Sequence, residues 1–172
     1  MKNHFTLFKL SPVFNIDTVA LEQNYRTIQA ESHPDRFVSA TPAEKLQSMQ
    51  LATLANEAYQ TLKKPSSRAK YMLQLQGIDA TQETNTSMPP DFLMQQMEWR
   101  EALEDLKVEK NVEGLEDLLD EMQEEAQSLT KELTVLMDEK NDLVAATNTT
   151  RKLIFIDKVC ADIMKAIELL ES

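Results

Sequence analysis

From Val112 to Leu136 the apolar residues fall three and four apart without a break, at Val112, Leu115, Leu119, Met122, Ala126, Leu129, Leu133 and Leu136. A strand turns successive side chains to opposite faces, whereas a helix returns to one face every three or four residues, so this spacing predicts a long helix with a coiled-coil-like seam. Leu153, Ile156, Cys160, Ile163, Ile167 and Leu170 repeat the pattern downstream of Asp142, a residue type suited to capping a helix start. A third amphipathic stretch runs from about Pro90 to Val108. Short connections between the three predict antiparallel neighbours in a three-helix bundle. Only two Gly and six Pro occur in 172 residues, which leaves few turns, and an apolar fraction of 42% is enough for a core. The predicted fold class is all-α.

The N-terminal half is also helical, on a smaller scale. Phe5, Leu7, Phe8 and Leu10 suggest a short first helix ahead of Ser11-Pro12. Asp17 is a candidate N-cap for a helix in which Leu21, Tyr25 and Ile28 share one face. Thr41, Pro42 and Glu44 read as the N-cap, first helical position and reciprocal partner of a capping box. The helix they open carries a predicted inward stripe of Leu46, Met49, Ala52, Ala55, Tyr59 and Leu62 and ends at Pro65. The two helices form a hairpin. Ala69, Met72, Leu73 and Leu75 add a further amphipathic piece closed by Gly77. Residues 78–90, rich in Thr, Asn, Ser and Pro, read as a linker. The expected division is residues 1–76, a linker at 77–89, and a C-terminal three-helix domain at 90–172.

At the tip of the hairpin stand His33, Pro34 and Asp35. A carboxylate beside an imidazole could begin an acid/base pair. Pro34 argues otherwise, because it fixes φ, lacks an N–H, and pushes His33 out of the α region, so the preceding helix should stop near Ser32 and leave an exposed corner. Catalysis would need a concave, partly desolvated site and a nucleophile, and neither is in evidence. The corner reads as a surface for a partner.

A second surface emerges from helical geometry over residues 90–108. At about 100° per residue, Phe92, Trp99, Leu103 and Leu106 share one sector, the core side, and Leu93, Met94 and Met97 fall roughly opposite. Phe155 lies one position before the seam residue Ile156 and is turned off it. Three aliphatic side chains and an aromatic, rimmed by Glu98, Arg100 and Glu101, have the make-up of a protein-binding patch.

Composition narrows the function classes. One cysteine makes no internal disulfide, and with His4 and His33 the only imidazoles no helix carries a metal-ligand pair, so no metal and no cofactor are expected. Cys160 falls on the apolar stripe and reads as packing. No apolar run is long enough to span a membrane, and the N-terminus has neither signal- nor transit-peptide layout, so a cytoplasmic chain is expected. Net charge is −11, divided as +3 over residues 1–75 and −14 over residues 76–172. The basic balance suggests a docking face on the first part, and the acidic remainder should repel nucleic acid.

The motif His33-Pro34-Asp35, with Tyr25 and Arg26 before it, Arg36 and Phe37 after it, and Asn56, Ala58, Tyr59, Leu62 and Pro65 closing the next helix, resembles a J-domain. The opening His4-Phe5-Thr6-Leu7-Phe8, the junction Pro65-Ser66-Ser67-Arg68-Ala69-Lys70-Tyr71, the run Phe92-Leu93-Met94, and Arg151-Lys152-Leu153 with Phe155 and Asp157 narrow the resemblance to the HscB family of J-domain co-chaperones. It implies a J-domain hairpin joined to a C-terminal bundle. It also implies no enzymatic activity of the chain itself, stimulation of a DnaK-type ATPase, HscA, and delivery of the iron-sulfur scaffold IscU. By the same resemblance His33, Pro34, Asp35, Arg26 and Arg36 would face the chaperone, and Leu93, Met94, Met97, Glu98, Arg100, Glu101 and Phe155 the scaffold. The chain lacks the extra cysteine-rich segment of some HscB-like proteins, so it would serve cluster assembly without holding a cluster. Glu22 and Glu31 flank Arg26 where many J-domains are strongly basic, which favours a dedicated chaperone. A monomer is expected. Two other classes share some features: a general J-protein with an acidic coiled-coil dimerisation arm, and a helical carboxylate-metal enzyme, against which stands the lack of any Glu-x-x-His pair.

Overall fold

Helix ends in this chain are set by side chains that the local sequence supplies. In the computed structural model, which describes residues 2–81 and 88–172, α1 spans His4–Leu7, α2 Thr18–Glu31, α3 Pro42–Lys63, α4 Pro65–Leu75, α5 Pro90–Val108, α6 Val112–Thr134 and α7 Leu143–Glu171. Among the described residues there is no strand, and the fold is all-α. Asp17 Oδ1 accepts the Val19 and Ala20 N–H groups at 3.0 Å. Asp142 Oδ1 accepts from Ala145 N–H at 3.1 Å, so both predicted aspartate caps form. At Thr41 only half of the predicted box is made, Oγ1 accepting from Glu44 N–H at 3.2 Å. The last turn of α4 closes on Gly77 at φ +81, with Ile78 N–H donating to Leu73 C=O and Gly77 N–H to Gln74 C=O, both at 2.9 Å. That pair of bonds is a Schellman motif, and the left-handed φ is why glycine stands there.

The chain divides into two compact units, one ending at Met72 and the other beginning at Leu73. In the first, α2 and α3 pack against each other, with α1 laid on α3. Phe5, Phe8, Ile16, Leu21, Ala55, Ala58 and Leu62 form the core, flanked by Tyr25, Ile28 and Tyr59. Tyr25 stacks on Tyr59 at 4.1 Å, which locks α2 to α3 at mid-hairpin. Arg68, buried, lies 4.6 Å over the Phe14 ring and donates Nη1–H to Leu62 C=O at 2.8 Å, so it ties the α3–α4 junction to the N-terminal loop.

The predicted stripe of α3 needs a correction. Leu46 and Met49 are 55% and 64% exposed, and the buried face runs through Ser48, Ala55, Ala58 and Leu62. Steps of three fall about 60° short of a full turn, so three such steps from Leu46 to Ala55 rotate the series by about half a turn. Leu75 is likewise exposed.

In the second unit, α6 lies along α7, and α5 packs on both. Leu115, Met122, Leu129, Leu133 and Leu136 of the predicted seam are buried, as are Leu153, Ile156, Cys160 and Ile163 opposite. Leu118 is buried as well, where the stripe had named only its neighbour Leu119. Thr150, fully buried, sends its hydroxyl back to Ala146 C=O at 2.7 Å and so keeps no unmet polar group. Gly114 opens the approach of α5 to α6, because a Cβ there would stand 2.5 Å from Leu106 Cδ2 and 2.8 Å from the Asn111 cap. After Thr134 the helix widens into one π turn, Val135–Glu139, and the chain leaves it through Asn141 at φ +51. Of the expected linker, Ala80 is buried and its carbonyl accepts Arg151 Nε–H at 2.7 Å. Residues 82–87 of that linker lie outside the described residues.

Candidate functional site

The corner at His33 is built by the proline that follows it. His33 is held at φ −62, ψ 135, the extended region imposed on a residue before proline, and caps a 3₁₀ turn over Pro34–Phe37. Arg36 N–H donates to His33 C=O at 3.0 Å. His33 Nδ1 accepts the Asp35 N–H at 3.2 Å, which places the proton of the neutral ring on Nε2. Asp35 Oδ2 stands 3.6 Å from the same Nδ1, and the Asp35 side chain is 89% exposed. The structure therefore brings His33, Pro34, Asp35 and Arg36 into one rigid turn with a carboxylate and an imidazole offered to solvent. Arg26 is exposed on α2 and engaged with Glu22 at 2.7 Å. Two cavities of this unit lie elsewhere, one lined by His4, Leu7, Leu51, Leu54 and Tyr71, the other by Val19, Leu21 and Tyr59.

The patch of the second unit sits on α5 and α7. Leu93, Met94 and Met97 are 47%, 62% and 71% exposed, and Phe92, Trp99 and Leu103, on the other side of the same helix, are buried. Phe155, on α7, is half-buried. Its ring meets Phe92 edge-on at 5.9 Å and Trp99 in a stacked arrangement at 6.3 Å. Arg100 lies over that ring, its Cζ 5.5 Å from the centroid, and its Nη1 donates to Asp162 Oδ2 at 2.8 Å. Glu98 and Glu101 are exposed on α5. Lys152 reaches over Phe92 at 5.5 Å. Trp99 Nε1 is buried without a hydrogen-bond partner among the described residues.

Asp162 and Lys152 were not singled out for this surface by sequence reasoning. Asp162 carried a signal, because it stands seven residues after Phe155, two turns on along nearly the same line of the helix. Cys160 is buried, and its thiol is pushed up first by burial and then by the Asp157 carboxylate. Among the described residues no group of three or more His, Cys, Asp or Glu could hold a metal ion, and no helix is long and apolar enough to cross a membrane.

A helical hairpin ending in an exposed His-Pro-Asp turn, joined to a three-helix unit with an apolar patch, defines a J-type co-chaperone. A family profile described as the HSCB C-terminal oligomerisation domain matches residues 88–164. The Co-chaperone protein HscB homologs of Paraburkholderia phymatum and Paraburkholderia xenovorans are each 48% identical over 170 residues, covering 99% of this chain and 97% of theirs. The structure of chaperone HscB from Vibrio cholerae matches at a TM-score of 0.84 and 33% identity, over 98% of this chain and 99% of that one. The human co-chaperone HscB structure matches at 0.85 and 26%, over 96% and 82%. The chain belongs to the HscB family, the J-domain co-chaperones of iron-sulfur cluster biogenesis.

Proposed function

We propose that this chain stimulates the ATPase of an HscA-type chaperone through His33, Pro34, Asp35, Arg26 and Arg36, and brings it an IscU-type iron-sulfur scaffold. The scaffold would be held by Leu93, Met94, Met97, Glu98, Arg100, Glu101 and Phe155. The domain division is residues 1–76 for the J-domain and 90–172 for the scaffold-binding bundle, in a cytoplasmic monomer. The observation that carries this reading is the pairing, on one chain, of a proline-locked corner with an exposed carboxylate and an exposed aliphatic triad on α5, the helix whose Arg100 lies over the half-buried Phe155 ring.

The chemistry at the corner is recognition. Asp35 accepts charge-assisted bonds from a basic group on the ATPase, which are stronger and shorter than neutral ones. The Asp35 N–H to His33 Nδ1 bond holds the imidazole so that Nε2–H faces outward as a donor. Binding that is tighter to the hydrolysis-competent state of the chaperone shifts that state's population. The patch supplies apolar contact with adaptable methionines, and a scaffold carried there is concentrated beside the ATPase by the shared chain.

His33→Gln is expected to abolish stimulation of the chaperone ATPase, measured as steady-state phosphate release, and to leave scaffold affinity by calorimetry unchanged. Full stimulation by that variant would refute the assignment of the corner. Alanine at Leu93, Met94 and Phe155 together is expected to weaken scaffold binding by more than about tenfold, or roughly 1.4 kcal/mol. The folded state, followed by circular dichroism, should persist, and an unaltered affinity would remove the patch from the reading. The oligomerisation domain named by the matching profile favours a second reading, in which the patch joins copies of this chain. Sedimentation equilibrium giving a stable dimer that the triple variant dissolves would select it.

A further inference from the structure

We propose that Asp162 is a positioning residue of the α5–α7 patch, its carboxylate holding the Arg100 guanidinium across Phe155. This inference rests on the reading of the patch as the scaffold-binding surface. Arg100 stands on α5, and the two groups it meets, Phe155 and Asp162, stand two turns apart on α7. An arginine side chain on a surface helix samples many rotamers, and the face of a phenylalanine ring attracts it only weakly at an exposed site. A second contact made at the same time restricts it. The 2.8 Å bond from Nη1 to Asp162 Oδ2 anchors one end of the guanidinium fork, and the Cζ then lies 5.5 Å from the ring centroid. One donor is committed to Asp162, and a planar guanidinium has five, so a partner still finds donors in a defined place.

Two further observations separate this role from a stabilising one. The ion pair is half-exposed, at 45% for Arg100 and 52% for Asp162, and pairs of that kind contribute little to folding. Asp162 also changes the charge of the rim. Its carboxylate balances the Arg100 charge where α5 already exposes Glu98 and Glu101, so the rim is acidic on balance and suits a scaffold face that presents basic side chains around an apolar centre.

Asp162→Asn keeps the shape and removes the charge. Its expected effect is a threefold to tenfold loss of scaffold affinity by calorimetry, roughly what loss of one oriented charged contact produces. The thermal midpoint should stay where it is. Trp99 is the only tryptophan of the chain and stacks on Phe155, so its emission should shift in the variant, which a distant structural effect would not produce. Asp162→Glu should restore most of the affinity, and Asp162→Asn should do nothing further in an Arg100→Ala background. An unchanged or tightened affinity in Asp162→Asn, or an equal loss with and without Arg100, would overturn the positioning role. Phe155→Ala separates the two levels. If it weakens scaffold binding and Asp162→Asn does not, the positioning role alone fails; if it leaves binding intact, the scaffold reading of the patch fails and this inference with it.

Discussion

At the scale of single residues, the two histidines are placed in opposite environments. His33 faces solvent at the corner. His4 stacks on Tyr71 with ring centroids 4.3 Å apart, and its backbone N–H donates to the Tyr71 hydroxyl at 2.9 Å. Burial lowers the His4 pKa, and the Glu57 carboxylate offsets part of that. The folded chain therefore takes up this proton later than the unfolded chain does. Stability from this site is complete above the unfolded value, about 6.5, and declines as pH falls through it. His4→Gln should flatten the loss of stability that sets in as pH falls below about 6.5, followed by urea denaturation at each pH. A slope equal to that of the unsubstituted chain would assign the loss to other groups. Sequence alone placed His33 at an exposed corner and left the surroundings of His4 open. Cys160 differed, because its place on an apolar stripe already spoke for packing, and it is buried.

At the scale of elements, caps and breakers were legible and phase was less so. Asp17, Thr41, Asp142 and Gly77 act within a few residues of themselves, so their effect can be read locally. The buried face of α3 depends on where α1 and α2 lie, and spacing alone ran it through Leu46 and Met49. Because both are exposed, Leu46→Gln and Met49→Gln should each change unfolding free energy by no more than about 0.5 kcal/mol. Leu62→Ala, inside the core, should cost about 2–5 kcal/mol. Urea denaturation of the three variants checks the order, and a large loss at Leu46 would put that face back in a core. On α5 the same arithmetic succeeded, because Phe92 and Trp99 are large enough to mark the core side whatever they pack against.

At the scale of the whole molecule, the charge division runs alongside the division into two units, with the acidic excess in the second. One chain carrying both surfaces matters because tethering replaces a second encounter by a local one. His33→Gln and the Leu93/Met94/Phe155 alanine variant each keep one surface. Mixed in equal amounts they should fail to restore scaffold-dependent stimulation of the chaperone ATPase, since no single chain then holds both partners. Restored stimulation in a phosphate-release assay would show that the two surfaces work in trans.

Helix content, the capped ends, the proline-locked corner and the two apolar sectors of α5 follow from residues acting on near neighbours, and the order of residues is enough to state them. The exposure of Leu46, the burial of Ala80 under Arg151, and the meeting of Arg100 with Phe155 and Asp162 join positions far apart in the chain. Only packing in three dimensions decides such contacts, because many pairings of amphipathic faces satisfy the same periodicity and the native one is selected by how side chains from different helices fill a common space.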